Sequence, residues 1–532
     1  MKRLVTIGAT IALFSAPVVG VAAGSASASP RSAARVSRAV ATHTATVRLA
    51  GTVNASALPR FTGAGHQAFR LPLRRAPQSI ARGVRSPAAA ASASSAQGPL
   101  VTVTPGTPLA GTLGDGDNIT TGPGELTPPD MGFSTNGTKE IELINDVGKI
   151  WNGTTPGTAF SLATFFSPSA PSDFLSDPFV KWDVGSGRFF AGIFDVSLGG
   201  EIMAVSTTSD PSGTWNLYRV RYPSTTVTGG GCPDQGKAGV DSNVVGLGFN
   251  EFAATGVGGC PNTATFRGAA IEVFNKAEMM AGATVHFVYT DPQSGYFSLV
   301  PADTQGSSTT EFFASLNYGT STQLHQVTSV GVPLGGPTDV TLTVLPDLTV
   351  KSYSNPPKAP QSGTTKKIDS GDDRTQNVSM SGTKLSLAAT VGCKPKGDTA
   401  KRACGRVYEV DDTSTAAPLL KKSLTISAVG KYFIYPAATI LGTNTVAVSI
   451  GQSSSSTFGS LYTTAGTWGL ALAGPVQVQA GTAKNTTGRY GDYFAVAVQP
   501  GTTNQYWVAG EIGGTSGSTF KWKTAAGVVT VS

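Results

Sequence analysis

The chain has 532 residues, 40% hydrophobic and 13% charged, with a formal net charge of +7. Twelve of its 39 basic residues lie before residue 99, where there is no Asp or Glu, so residues 99–532 carry 27 basic against 32 acidic side chains, about −5. The basic balance belongs to one end of the chain. Nucleic-acid binding by a basic folded domain is therefore excluded, because no stripe of Lys and Arg with interleaved aromatics runs through the body.

Lys2-Arg3, the apolar run 4–21 and the small-x-small step Ala26-Ser27-Ala28 read as a secretory signal peptide over residues 1–28. No later segment reaches the roughly 18 apolar residues that span a bilayer. The expected product is extracellular, with no transmembrane segment. Residues 29–98 hold ten Arg and no Lys, Asp or Glu, among Ala, Ser and Val. Such a stretch buries too little apolar surface to offset the entropy of ordering it, so it reads as a disordered basic tail or a removable propeptide. A second reading makes it a tether to an anionic cell surface, weakening with salt.

Residues 99–532 read as all-β. Strand-like runs at 188–196, 202–206, 215–222, 244–249, 269–274, 312–317, 340–344, 407–410, 439–450 and 460–462 are short and separated by Gly, Pro, Asn and Asp. Residues 276–281 are the one stretch suited to a helical turn. Hairpin-like units recur: Ala204-Val205-Ser206 with Trp215 to Tyr218, Val446 to Ser449 with Leu461-Tyr462, and Val496-Ala497-Val498 with Tyr506-Trp507. A strand of small residues near a central axis, followed by an outer strand carrying rings, predicts a β-propeller, whose radial repetition leaves only short sheet edges. Residues 100–104 and 528–531 alternate in the same way and are expected to share one blade, closing the ring. Seven four-stranded blades of about 60 residues fit the length best, and six fit nearly as well.

Pro128-Pro129-Asp130, Asp177-Pro178-Phe179-Val180-Lys181-Trp182-Asp183, the Asp210 to Trp215 turn, Asp234-Gln235-Gly236-Lys237, Asn250-Glu251-Phe252, Val273 to Lys276, Asp372 to Asn377 and Arg489 to Tyr493 occur in that order. Together they resemble a family of secreted bacterial β-propeller exoproteins, related in shape to the sialidase-like propellers. The resemblance implies the fold and export but no reaction, since members mostly lack an assigned activity. Two turns depart from the family: Met131-Gly132-Phe133 replaces a polar Asn/Gln-Gly step, and Gly236 stands where Pro is usual.

Asp210-Pro211-Ser212-Gly213-Thr214-Trp215 is similar to the Asp-box of sialidase blades, lengthened by one residue, and reads as a turn device. A sialidase-type site needs Arg side chains to grip a carboxylate and a Tyr or carboxylate nucleophile beside a second acid. The candidates are Asp372, Asp373, Arg374, Arg489, Asp492, Tyr493 and Glu511, which meet at one mouth of the axis if their loops face the same way. Otherwise Arg489 and Asp492 pair locally, Tyr493 packs and Glu511 sits on the rim. Asp115, Asp117 and Asp369 lie in oxygen-rich turns of the kind calcium prefers, without matching an EF-hand. Four cysteines in an exported chain point to disulfides; proximity favours Cys232 with Cys260 and Cys393 with Cys404, out of three possible pairings. His286 and His325, the two histidines of the body, read as structural, which starves both zinc-hydrolase and Ser-His-Asp chemistry. The reading is a monomeric extracellular binding or scaffold protein whose ligand is a glycan or cell-wall component. The alternative is a glycan-active hydrolase or lyase, and a third reading is a coat protein held by its arginine-bearing tail.

Overall fold

The computed structural model describes residues 38–61, 101–110, 127–168, 174–196, 198–223, 231–254, 264–317, 321–329, 340–411, 413, 418–516 and 519–532. Their strands form antiparallel meanders wheeled about a common axis, a β-propeller. The innermost strands, in ring order, are Met131–Thr135, Leu175–Asp183, Gly231–Val240, Val300–Gln305, Thr375–Ser381, Tyr432–Leu441 and Ala495–Val498. Hydrogen bonding joins everything into six sheets, because Val300–Gln305 and Thr375–Ser381 pair in parallel and fuse two meanders into one ten-stranded sheet. The six blades so defined contain seven four-strand meanders, and packing follows the meanders.

Alternation along each strand gives every meander two apolar faces, and each face packs on the next meander. Phe133 and Trp151 of the first pack on Trp507 and Trp522 of the seventh. Ile141 and Leu143 meet Val180 and Trp215 of the second. Phe190 meets Val245 and Phe249 of the third, and Ile271 meets Phe313 of the fourth. Phe312 meets Leu387 and Tyr408 of the fifth, whose Val407 packs on Val448 of the sixth. Ile434 and Leu461 then meet Val508 and Val529 of the seventh. Each such large side chain contributes about 1.5–3 kcal/mol on burial, so the ring is held by its interfaces.

Ring closure is as the alternation predicts. The strand β4 (Val103–Pro105; β1 to β3 are defined below) pairs with Thr519–Val531, with Thr104 opposite Thr530.

The disordered tail expected over residues 29–98 does not hold for residues 38–61. Here β1 (Arg38–Ala39), β2 (His43–Val47) and β3 (Gly51–Asn54) add to the outer edges of the fourth, third and second meanders respectively. The chain thus laces the rim in the reverse order of the blades. Its ordering energy comes from the unpaired outer edges, a partner that a composition argument cannot see. The rest of the tail and the leader lie outside the described residues.

Three further readings are corrected. The recurring hairpins occupy unequal places: Ala204 to Ser206 lies on a third strand, Val446 to Ser449 on a second and Val496 to Val498 on a first. Any half-buried hairpin carries that pattern, so it marks pairing but not radial position. The run 439–450 is two strands split by a turn at Gly442, whose φ of 53° suits glycine. The helix Lys276–Ala281 forms as expected, but Leu162–Phe166 is a second one, short enough to escape a periodicity test. No helix among the described residues is long and apolar enough to cross a membrane.

Cys393 and Cys404 form a disulfide with Cα atoms 5.9 Å apart, clamping a hairpin of the fifth meander. Cys232 is disulfide-bonded as well, and Cys260 lies outside the described residues.

Candidate functional site

The inner strands begin alike. The second, third and sixth carry a bulge near their start, at Ser176/Phe179, Asp234/Lys237 and Ile434/Ala437. A non-glycine residue there adopts positive φ: Asp177 (58°), Gln235 (57°) and Tyr435 (52°). Ser298 (57°) does so just before the fourth inner strand. Left-handed non-glycine backbone costs about 1–3 kcal/mol per residue and persists only where its surroundings over-determine it.

Ser298 is held by its N–H on Asn250 Oδ1 and Tyr435 by its N–H on Thr390 Oγ1, each at 2.8 Å, while Asp177 and Gln235 are held by a buried polar network at one end of the axis. Asp177 Oδ2 accepts from Tyr493 Oη at 2.8 Å and from the Gln235 N–H at 2.8 Å. The Asp177 N–H donates to Asn145 Oδ1 at 3.1 Å, and Asn145 Nδ2 donates to the Pro128 carbonyl at 2.7 Å. Asp130 Oδ1 accepts the Asp492 N–H at 3.1 Å. Asp492 takes Arg489 through both oxygens, and Arg374 holds Asp372 in the same two-pronged way, with Nη2 to Oδ2 at 2.6 Å. Arg374 also donates to Gln235 Oε1 and stacks over Phe297, its guanidinium carbon 4.6 Å from the ring centroid. Lys237 Nζ sits 2.9 Å from the Tyr493 ring centroid. First, second, third, fifth and seventh meanders are thereby tied together, with the fourth contributing Phe297 from the segment before its inner strand.

The electrostatics follow from burial. Desolvation, then the carboxylates of Asp492 and Asp177, hold the Asp130 carboxyl well above the usual range. Tyr493 is pushed well above an ordinary phenol by burial and by Asp177. Burial pushes the Lys237 ammonium down to about 7, against the pull of Asp177 and Asp130. Asp373 is raised to about 6 by burial and then by Asp372.

Of the residues singled out from the sequence, Asp372, Arg374, Arg489, Asp492 and Tyr493 are joined by this network. All are buried, Arg374 at 4% exposure and Arg489 at 6%. Asp373 is buried beside them. Glu511 is not on the rim: it is 1% exposed behind the Arg489 to Tyr493 turn, where its carboxylate takes the Gly491 N–H and its carbonyl takes Tyr490 Oη at 2.7 Å. Below the network the inner strands enclose a cavity of about 60 Å³, lined by Phe179, Lys237, Pro301, Gln376 and Tyr493. That is room for water, not for a sugar.

Asp115 and Asp117 lie outside the described residues. Asp369 Oδ1 accepts the Gly371 N–H at 3.1 Å, and its other oxygen faces Lys358 at 3.7 Å. Among the described residues no group of three or more His, Cys, Asp or Glu side chains could hold a metal ion. The Asp210 turn behaves as read: Oδ1 accepts the Ser212 N–H at 2.8 Å, and Trp215 is buried with Nε1 on the Pro211 carbonyl at 2.9 Å.

Asp130, Asn145, Asp177, Gln235 and Lys237 belong to the site but were not among its expected members. For all but Asn145 the signal is positional. Pro129-Asp130, Asp177-Pro178, Asp234-Gln235, Tyr435-Pro436 and Asp492-Tyr493 all stand at the entry of an inner strand, and aligning the entries would have gathered Asp130, Asp177, Gln235 and the nearby Lys237; Asn145, in the turn between Lys139–Ile144 and Val147–Asn152, carries no such signal.

No known family's sequence profile matches the chain, and no curated protein matches it. Solved structures are similar at a distance. A protein of unknown function from Dyadobacter fermentans is 11% identical, over 67% of this chain and 95% of that one, with a TM-score of 0.36. A Trypanosoma rangeli sialidase, in complex with 2,3-difluorosialic acid as a covalent intermediate, is 10% identical over 66% of this chain, with a TM-score of 0.34; the match spans 53% of the sialidase. An ulvan lyase of a polysaccharide lyase family is 12% identical over 79% of this chain and 93% of its own, with a TM-score of 0.33.

Proposed function

We propose that the chain is an exported, monomeric binding or scaffold propeller, whose ligand is a glycan or cell-wall component taken at the axial mouth above the buried network. One observation carries the non-catalytic part of this reading. Both arginines of the mouth are saturated, each by the carboxylate of a residue two or three positions away, Arg374 on Asp372 and Arg489 on Asp492. A guanidinium already held in a two-pronged pair has little to offer a substrate carboxylate. The network then acts as a rigid floor, and recognition falls to the loops around it, as is usual for sites on stiff scaffolds. A disulfide within the fifth meander agrees with an oxidising compartment.

The test is a glycan array with the full chain, alongside turnover assays on the same glycans. Retention of neutral or acidic glycans without turnover supports the reading; a blank array defeats it.

A second reading, a glycan hydrolase or lyase, has a specific observation in its favour. Tyr493 Oη is hydrogen-bonded to Asp177 beside Asp130, a carboxyl whose pKa burial raises, which is the pairing of nucleophile and acid that such chemistry uses. Turnover that Tyr493→Phe abolishes while binding persists would establish it.

A further inference from the structure

Among the described residues the rim lacing does not reach the outer edge of the first meander, and a cavity lies there. In that meander the third strand, Val147–Asn152, is covered only at its ends: Thr155–Pro156 pairs with Trp151 and Asn152, and Phe160–Ser161 pairs with Val147 and Gly148. Among the described residues no rim strand completes this edge. Instead β3 ends on the second meander at Asn54, whose side chain caps a short 3₁₀ turn, Ala55–Ala57, by accepting the Ser56 N–H at 3.1 Å. The chain then crosses to the first meander, where the Phe61 N–H reaches the Ala159 carbonyl at 2.8 Å. Between this crossing and the incomplete edge lies a pocket of about 510 Å³, within the range of sites that take small organic ligands.

The lining has a definite chemistry. Leu58, Ile150 and Phe160 give it an apolar side, while Asn152, Thr155 and Thr158 supply amide and hydroxyl groups. Its charged members are Arg60 and Lys139, with no acidic residue. Lys139 is spoken for: Nζ sits 2.7 and 2.8 Å from the two oxygens of Asp210 and 3.0 Å from Ser212 Oγ. Arg60 is exposed and has no ion pair among the described residues. The pocket therefore offers one guanidinium fork beside a mixed apolar and hydroxyl-bearing wall.

We propose that this rim pocket is a second ligand site, and that it takes an acidic sugar, a uronate-type mono- or disaccharide. The planar fork of Arg60 would receive the carboxylate bidentately, the Asn and Thr side chains would exchange hydrogen bonds with ring hydroxyls, and the apolar wall would cover a C–H face of the ring. The proposal shares with the functional reading above only the glycan class of the ligand, and its residues are separate from the axial network.

The test is titration of the full chain with glucuronate and galacturonate, with glucose as neutral control, followed by calorimetry and ligand-observed NMR. Arg60→Ala alters an exposed side chain and leaves folding intact. It should weaken uronate binding by roughly tenfold or more, Arg60→Lys should recover only part of this, and Thr158→Trp, which fills the pocket, should remove it. Uronate affinity unchanged by both Arg60→Ala and Thr158→Trp, or no uronate binding at all, overturns the proposal. Array hits that survive Thr158→Trp would leave the axial reading standing after the rim pocket has failed. A blank array with Arg60-dependent uronate binding would do the reverse.

Discussion

Tyr493 donates its phenolic hydrogen to Asp177 Oδ2 at 2.8 Å, joining the seventh meander to the second across the axis of the propeller. Both residues are buried, and 316 positions separate them in the chain. The bond ties two blades through polar groups at the axis, and Asp177 adopts a left-handed backbone where it is made.

Tyr493→Phe removes that donor while keeping the ring. Asp177 retains the Gln235 N–H, so the cost is a partly unsatisfied buried carboxylate, about 1–3 kcal/mol. The urea midpoint should fall accordingly. In a double-mutant cycle with Asp177→Asn, the two losses should sum to more than the double variant shows, because the residues share one interaction. Strict additivity would mean that the bond does not couple the blades.

The fold was largely legible in the sequence, because propeller strands advertise themselves by alternation and turn residues, as at 340–344, where the expected and observed strands coincide. Ring closure was legible for the same reason, 100–104 and 528–531 being the only alternating runs at opposite ends of the body. Radial position was not, since a hairpin near the axis and one near the rim bury faces equally well. The site was half legible. Arg489 and Asp492 stand out as a local motif, whereas Gln235 and Lys237 carry no signal until seven strand entries are brought to one end of an axis, and Asn145 lies at none of these entries. The rim strands β1 to β3 were hidden by composition, because their order is supplied by edges far away in sequence.

The Cys393–Cys404 disulfide closes a short loop, the two residues being 11 positions apart. Loop-closure entropy for a loop of that size gives about 3 kcal/mol, so Cys393→Ser/Cys404→Ser should lower the denaturation midpoint by that order in the folded chain. Reducing agent should move the wild type further than the double variant, which keeps only the disulfide of Cys232. A double variant as stable as the wild type would show the hairpin to be self-sufficient.

Deletion of residues 29–61 should expose the outer edges of the second, third and fourth meanders, which β3, β2 and β1 now cover. It also removes the buried side chains of Val53, Ala55 and Phe61. Uncovered edges template pairing with other chains, so the deleted protein should associate with rising concentration in light scattering, while the intact chain stays monodisperse. A deleted chain that remains monodisperse with an unchanged unfolding midpoint would reduce the lacing to an ornament of the rim.

Stability should depend on pH with opposite signs in two windows. Burial raises Glu272 and Glu409 from an ordinary 4.5 to about 7. A carboxyl whose folded pKa is raised holds its proton more tightly in the folded state, so its contribution is fully present below about 4.5 and is lost as pH climbs to about 7, at about 1.4 kcal/mol per unit per group. Lys237 works the other way. Its folded value of about 7 lies below the ordinary 10.5, so the folded state gains stability as pH rises from 7 towards 10.5. Unfolding midpoints taken from pH 5 to 9 should therefore fall to near neutrality and then level or recover. Glu409→Gln should flatten the falling limb, since the amide oxygen can still accept the Gly469 N–H that Glu409 Oε2 takes at 2.7 Å. Lys237→Met should erase the recovery and raise stability below pH 7, where the wild type must bury a charged ammonium under the Tyr493 ring. A profile flat across this range in the wild type would mean that these buried groups exchange protons with water as freely as surface ones, which their enclosure in the propeller does not allow.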